Sequence, residues 1–211
     1  MRGLRVRAAH WLWRAAQAMT PAYNSTGHGL ATRGWNPGDN AINALVAAGG
    51  DALRRQSRDV ARRNSWAANG IESYVSNAIG TGIVPQPRHP DPAVKQQLQE
   101  LWLRWTDDAD AAGLTDFYGL EALACRTMIE AGECLVRLRG RREEDGLTVP
   151  LQLQLLEPEH LPLHDRRDLA GLNKVRWGIE FDALGRRAAY WLHREHPGEN
   201  AMFYGAMDVV R

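Results

Sequence analysis

The spacing of apolar residues changes near residue 133 from a helical to a strand-like period, and this change constrains the fold most. Before it, apolar residues recur every three or four positions, as in Ala68, Ile71, Val75 and Ile79. After it, residues 134–140 (CLVRLRG) and 149–158 (VPLQLQLLEP) alternate side-chain character, which is typical of half-buried strands in antiparallel pairs. The sequence therefore predicts an α+β fold, with N-terminal helices followed by a mostly antiparallel β-rich lobe.

Capping residues predict where the helices begin and end. Helix starts are expected near Asp39, at Ser65, at Asp91 and at Asp116. We expect a pause in the first helix at Gly49–Gly50, a third helix from about 92 to 111, and helix ends at Gly80 and Gly132. The third helix should carry Trp102 and Trp105 on a core-facing stripe.

These patterns predict three parts in the chain. Residues 1–38 are expected to be a basic arm or loop, residues 39–132 a helical part and residues 133–211 a β-rich part. In the last part a turn at 182–185 should join two strands, and strand-like residues 208–210 lie next to Arg211. A strand at the end of a chain exposes unpaired backbone groups, which commonly pair with a further segment. We therefore expect the β-rich part to be truncated at residue 211.

Charge is distributed unevenly, although the formal net charge of the chain is only +1. Residues 1–63 hold ten Arg, no Lys and three Asp, a net charge of +7, and the other 148 residues hold 16 basic and 22 acidic groups, a net charge of −6. A basic segment before an acidic body is compatible with nucleic-acid contact, with docking on another copy's acidic face, or with a solvated tail. Candidate intersubunit or DNA contacts are Arg33, Trp35, Arg54, Arg55, Arg58, Arg62 and Arg63. A solvated helix face is the alternative for the five arginines of residues 54–63.

Motifs for catalysis are missing from the sequence. It holds no GxxxxGK[ST], GxGxxG, HExxH or GxSxG, and neither Cys125 nor Cys134 has an adjacent base, so we expect no enzyme, cofactor or catalytic residue. Two acidic groups invite a metal interpretation: Asp107, Asp108, Asp110 and Asp116, and Glu157, Glu159, His160 and His164. The first set fits a solvated helix end followed by an N-cap, and the second lies in a Pro-rich loop, so no metal is expected.

The N-terminal segment does not resemble a membrane span. Arg14 and Gln17 interrupt the apolar residues of MRGLRVRAAHWLWRAAQAM, so neither export nor membrane insertion is expected. Two cysteines outside any CxxC pattern favour a reducing compartment.

Several blocks of sequence, in order, resemble the lambda-type phage portal proteins. They are Arg33–Pro37, Arg58–Ala68, Val75–Ile83, the tryptophans 102 and 105, the turn 108–113, Asp116–Leu120, Gly132–Val136 and Pro150–Leu161. The resemblance extends from roughly residue 30 to the C-terminus, and collinear agreement over this length is far more specific than a short motif.

The resemblance implies a structural, usually dodecameric ring at the portal vertex of the capsid in the virion, assembled in the bacterial host cytoplasm. Terminase drives double-stranded DNA through such a ring, and capsid and tail or adaptor proteins contact it. The resemblance brings no catalytic residue, because ATP hydrolysis belongs to the terminase. Portals are longer, so the chain resembles the outer wing portion, truncated before the stem and clip.

Two other functional classes remain as alternatives. A nucleic-acid-binding module that forms no ring would use the same Arg-rich N-terminal region. A phage maturation protease would need a nucleophile with a partner base, which the sequence does not offer.

Overall fold

In the described part of the chain, four α-helices precede the strands, as the sequence predicts. A computed structural model of the chain describes residue 39, residues 41–199 and the backbone of residues 207–210. The helices are α1 (Ile42–Arg63), α2 (Ser65–Ile79), α3 (Pro92–Asp107) and α4 (Phe117–Ala131). The chain divides into two units, residues 1–41 and 42–211, and these helices and all the described strands lie in the second.

Helix α1 continues through Gly49–Gly50, so the predicted pause is wrong. The second glycine has a packing role, because a Cβ atom there would lie 2.9 Å from Cδ1 of Leu163. A glycine inside a helix costs about 1 kcal/mol relative to alanine. The Leu163 side chain lies so close to the helix backbone there that an alanine would require it to move.

Helix ends follow local hydrogen bonds. Asp91 and Asp116 cap α3 and α4 as predicted, and Gly132 ends α4 in the left-handed conformation. The N-cap of α2 is Asn64 rather than Ser65, since the Asn64 side chain accepts from the amides of residues 66 and 67. Helix α3 ends at Asp107, before the predicted end near residue 111. The dipole at the C-terminal end of a helix disfavours the carboxylates that follow Asp107.

Among the described residues, seven strands form two sheets. Strands β1 (Leu135–Gly140) and β2 (Leu151–Leu156) pair antiparallel with Leu138 opposite Leu153. The second sheet has the order β3-β4-β5-β6-β7 and all its pairs are antiparallel. Its strands are β3 (Arg166–Asp168), β4 (Lys174–Arg176), β5 (Ile179–Phe181), β6 (Arg187–His193) and β7 (Met207–Val210). The α+β prediction is therefore confirmed.

An aromatic cluster joins the helices to the β1–β2 pair. Trp102, Trp105 and Phe117 have ring centroids 5.0–5.4 Å apart, and the indole Nε1 of Trp105 donates to the carbonyl of Leu151 at 2.7 Å. Trp105 is buried, as its spacing predicts. Helices α1, α2 and α4 pack on one another.

The five-stranded sheet buries Val175, Ala189 and Leu192 together with one carboxylate, that of Glu180. Burial of a carboxylate is costly unless it is hydrogen bonded. Glu180 accepts from Nδ2 of Asn173 at 2.7 Å and from the indole Nε1 of Trp191 at 3.0 Å.

Candidate functional site

The arginines of α1 separate into two groups with different environments. Arg54 is only 7% exposed and donates to Oε1 of Glu133, the residue that leads towards β1. Its Nη1 atom lies 3.7 Å from Oδ1 of Asp51. Arg54 therefore packs inward and connects α1 to the start of the β1–β2 pair.

Arg58, one helical turn later, also faces inward. Its Nη1 atom lies 3.2 Å from Oε1 of Glu157, and its Nη2 atom lies 3.0 Å from Oε2 of Glu159. The other carboxylate oxygen of Glu157 is 3.1 Å from Nε2 of His196. One guanidinium thus forms ion pairs with two carboxylates that follow β2.

The remaining α1 arginines are on the surface. Arg55 and Arg62 are exposed and have no ion-pair partner among the described residues. Arg63 is 82% exposed and pairs with Asp59 at 2.8 Å. Arg33 and Trp35 lie outside the described residues.

Three potential metal ligands come together from two parts of the chain, the segment after β2 and the segment after β6. Donor atoms of Glu157, Glu159 and His196 lie within 4.8 Å of one another, and Arg58 provides the positive charge between the two carboxylates. His160 and His164 are directed elsewhere: Nδ1 of His160 is 2.8 Å from the carbonyl of His193, and Nε2 of His164 is 3.3 Å from Asp51. The contact of His196 with Glu157 was not foreseen, because it depends on the tertiary fold.

The aspartates after α3 have separate structural roles. Asp108 is the C-cap of α3 and Asp116 is the N-cap of α4. Asp110 is buried rather than solvated, and it accepts from the amides of residues 112, 114 and 115 at 2.9–3.2 Å. Burial raises the pKa of its carboxyl, but these three hydrogen bonds outweigh burial and hold the pKa below its ordinary value.

Neither cysteine has features of an activated nucleophile. Cys125 is buried and Cys134 is half-buried, and both are free thiols. Burial raises the pKa of Cys134, which lowers the fraction of the reactive thiolate.

Two apolar surfaces face solvent. On α1, Ile42, Val46, Leu53 and Val60 are 44–71% exposed. On β1, Val136 and Leu138 are 53% and 68% exposed, whereas Arg137 and Arg139 on the opposite face are half-buried. The sequence signal for the first surface is the alternation of four- and three-residue steps through positions 42, 46, 49, 53, 56 and 60. This spacing places Ile42, Val46, Leu53 and Val60 on one face of the helix.

A groove borders the α1 surface. It has a volume of about 450 Å³ and lies between α1 and the C-terminal end of α4. Its walls include Val46, Leu53 and Arg54 from α1, and Ile129 and Glu133 from the α4 side.

Among the described helices, none is long and apolar enough to cross a bilayer.

Comparison with known proteins gives the family. A model of the family "Phage portal protein, lambda family" matches residues 28–211. A "Probable portal protein" of Halomonas phage phiHAP-1 is 26% identical over 178 residues, which are 79% of this chain and 34% of that relative. The chain thus spans about a third of the length of this curated relative. Because the family model covers far more than half of the chain, the chain belongs to the lambda family of phage portal proteins.

Proposed function

We propose that the chain is part of a structural portal protein, a subunit of a ring at one vertex of the capsid. Through this ring double-stranded DNA enters during packaging and leaves during ejection. The family match over residues 28–211 carries this proposal. The proposed ring belongs to the virion and is assembled in the cytoplasm of the bacterial host.

Partners of such a ring are further copies of the chain, the capsid, the terminase motor and tail or adaptor proteins. In the full-length family the ring is usually dodecameric. The chain itself contributes contact surfaces and no catalysis, in keeping with a sequence that lacks a phosphate-binding loop.

Within this function, Arg55, Arg62 and Arg63 are proposed to contact a neighbouring subunit or DNA phosphates. Their exposure supports this role. Arg54 and Arg58 are proposed to act indirectly, because their side chains are largely buried and bind carboxylates of residues 133, 157 and 159 in the same chain. Arg33 and Trp35, in the basic segment, are proposed to contact the acidic body of the next copy.

The native mass of the purified chain, measured by light scattering at low and moderate salt, tests the proposal. A uniform ring-sized species would support it. A duplex-DNA titration of the same sample covers the alternative function, since a DNA-binding module loses affinity steeply as salt rises. Tight, salt-sensitive DNA binding by a monomer would contradict the proposal.

A further inference from the structure

Strand β1 has one edge without a partner in the described part of the chain. It pairs with β2 on one side only, and the two strands form a separate two-stranded sheet. The outer edge of β2 is partly occupied, because the amide of Ala111 donates to Leu153 at 2.8 Å and the amide of Leu153 donates to Ala109 at 2.7 Å. Two strands alone are marginally stable in water, and an open edge readily pairs with a further strand.

The hydrogen bonds of the β1–β2 pair show which backbone groups form the open edge of β1. The amide of Arg141, which follows β1, donates to the carbonyl of Pro150 at 2.9 Å. Backbone groups alternate in direction along a strand, so the odd-numbered residues of β1 also face β2. The N–H and C=O groups of Val136 and Leu138 therefore point away from β2, and both side chains are more than half exposed.

The charge of β1 restricts the segment that can pair with this edge. Arg137 and Arg139 alternate with the outward-pointing residues, so an antiparallel partner places one of its own residues opposite each arginine. Pairing of β1 along most of its length with β1 of a second copy places arginine opposite arginine, which is destabilising. The open edge therefore favours an extended segment with uncharged residues at these two positions.

The strap, defined as residues 83–88 between α2 and α3, is an exposed segment of this kind. Pro85 and Pro87 fix their own φ angles and restrict the residues before them to extended conformations. Ile83 and Val84 are 61% and 51% exposed. Among the described residues, no amide of the strap donates to a backbone carbonyl.

One hydrogen bond shows which edge of the strap is free. The amide of Ile83 donates to Oε2 of Glu121 on α4 at 2.8 Å. Amides alternate in direction along an extended segment, so those of Val84 and Gln86 point away from α4. The two prolines fall on the α4 side, where a missing N–H group interrupts no strand pairing. The strap therefore offers one complete edge, and this edge faces outward.

An antiparallel register matches the two edges. Val84 opposite Leu138 and Gln86 opposite Val136 can each exchange a pair of backbone hydrogen bonds. The same register brings the exposed aliphatic side chains of Val84 and Leu138 together on one side of the sheet.

The same register also matches the charges. It places Ile83 and Pro85, which are uncharged, opposite the two arginines of β1. At the other end of the strap, exposed Arg88 approaches Glu133, whose side chain is 43% exposed beside Arg54. Opposite charges at one end of two edges fix their relative direction.

From these observations we propose that the strap of one copy pairs antiparallel with the open edge of β1 in a second copy, which extends the β1–β2 pair to three strands. The contact joins two different surfaces, and each copy carries one of each. Such head-to-tail contacts close into a ring or continue as a filament. The inference rests on the proposed function in one respect, that copies of the chain associate.

A double cysteine variant tests the contact. Val84→Cys and Leu138→Cys are combined in a background with Cys125→Ala and Cys134→Ser. In the proposed register the two Cα atoms lie ~5.5 Å apart, a distance that suits a disulfide. Mild oxidation should give a ladder of covalent oligomers on a denaturing gel, because each copy carries both thiols and contact raises their effective concentration.

The matched control combines Val84→Cys with Leu184→Cys in the same background. Leu184 is 76% exposed on the turn between β5 and β6, away from the edge of β1. The yield of linked chains should be about tenfold lower in this control, since its two thiols meet only by chance.

A change of one backbone amide provides the second test. Gln86→Pro removes an outward-pointing N–H group and keeps the strap extended. Loss of this hydrogen bond should weaken association about fivefold. Gln86→Ala keeps the amide and should change association by less than about twofold. Analytical ultracentrifugation measures both dissociation constants, and circular dichroism melting checks that each variant is folded.

Three results would overturn the inference. They are a yield of linked chains no higher than in the Leu184→Cys control, a disulfide that closes within one chain and gives a faster-migrating monomer, and equal association of Gln86→Pro and Gln86→Ala. Light scattering separates this failure from that of the proposed function. A ring-sized mass together with any of these results means that other surfaces join the copies, whereas a DNA-binding monomer contradicts the function itself.

Discussion

Arg58 of α1 binds Glu159 in the turn after β2, with 3.0 Å between Nη2 and Oε2, although the two residues are 101 positions apart. Both side chains are less than one-fifth exposed. The same guanidinium binds Glu157, so Arg58 joins the first described helix to two residues of the β-rich part, beside the Arg54–Glu133 contact. Together these contacts place the Arg54 and Arg58 side of α1 against the β-rich part.

Arg58→Gln should therefore lower the free energy of unfolding by about 2 kcal/mol, because it leaves two neighbouring carboxylates without their cation. Arg55→Gln is the matched control on the exposed side of the same helix, and it should change that free energy by less than about 0.5 kcal/mol. Urea unfolding followed by circular dichroism measures both values. Equal losses for the two variants would contradict the separation of the arginines into two groups.

Asp110→Asn should destabilise the fold by about 2–3 kcal/mol, because an amide cannot accept equally well from three backbone N–H groups. The pKa of Asp110 is lowered in the folded chain, so its contribution is present above the unfolded value near 4 and is lost as pH falls through the lower folded value. The difference between the wild type and the variant should therefore shrink in acid. Urea unfolding at several pH values measures it, and a difference that is constant down to pH ~2 would contradict this role.

Burial lowers the pKa of His193, and the neighbouring His160 lowers it further against the opposing effect of Asp165. The folded chain therefore holds this imidazole neutral at a pH where the unfolded chain protonates it. Its contribution to stability is present above the unfolded pKa of about 6.5 and is lost as pH falls from there through the folded value. Thermal melting between pH 5 and 8 should show this loss in the wild type and a smaller loss in His193→Gln. An unchanged pH dependence in the variant would assign the loss to another group.

Asn64→Ala should lower the free energy of unfolding by about 1 kcal/mol, since the Asn64 side chain caps α2. Ser65→Ala provides the comparison at the adjacent position, which the sequence analysis favoured, and it should have little effect. Chemical denaturation of the two variants decides between them. A larger loss for Ser65→Ala would restore the interpretation of Ser65 as the cap.

Deletion of residues 1–38 should weaken assembly while leaving the rest folded, because it removes five Arg and no acidic residue from a chain whose remaining part is acidic. Light scattering gives the oligomer mass and circular dichroism the fold. Replacing the same five Arg by Gln in the full chain is the control that separates charge from chain length. An unchanged oligomer mass after the deletion would contradict a role for this segment in assembly.

Much of the fold was predictable because its determinants are local. Asp91 and Asp116 cap helices through amides only two or three residues away, and Gly132 ends α4 in a conformation that glycine adopts readily. The β1–β2 pair was predicted from alternation alone. One error arose where a distant contact overrode a local preference, since Leu163 packs against Gly50 within a continuous helix. The misplaced cap of α2 was a local error, because Asn64 and Ser65 are both favoured cap residues.

The sequence by itself determined the order of helices and strands, the family and the uneven charge, since these depend on neighbouring residues or on collinear similarity. Only the tertiary structure decided which side of α1 faces inward. Its apolar residues would ordinarily be assigned to the core, yet Leu53 is exposed and Arg54 is buried. The physical reason is that Glu133, Glu157 and Glu159 lie against the inward side, and their carboxylates would be left there without a compensating charge if the guanidinium groups were absent.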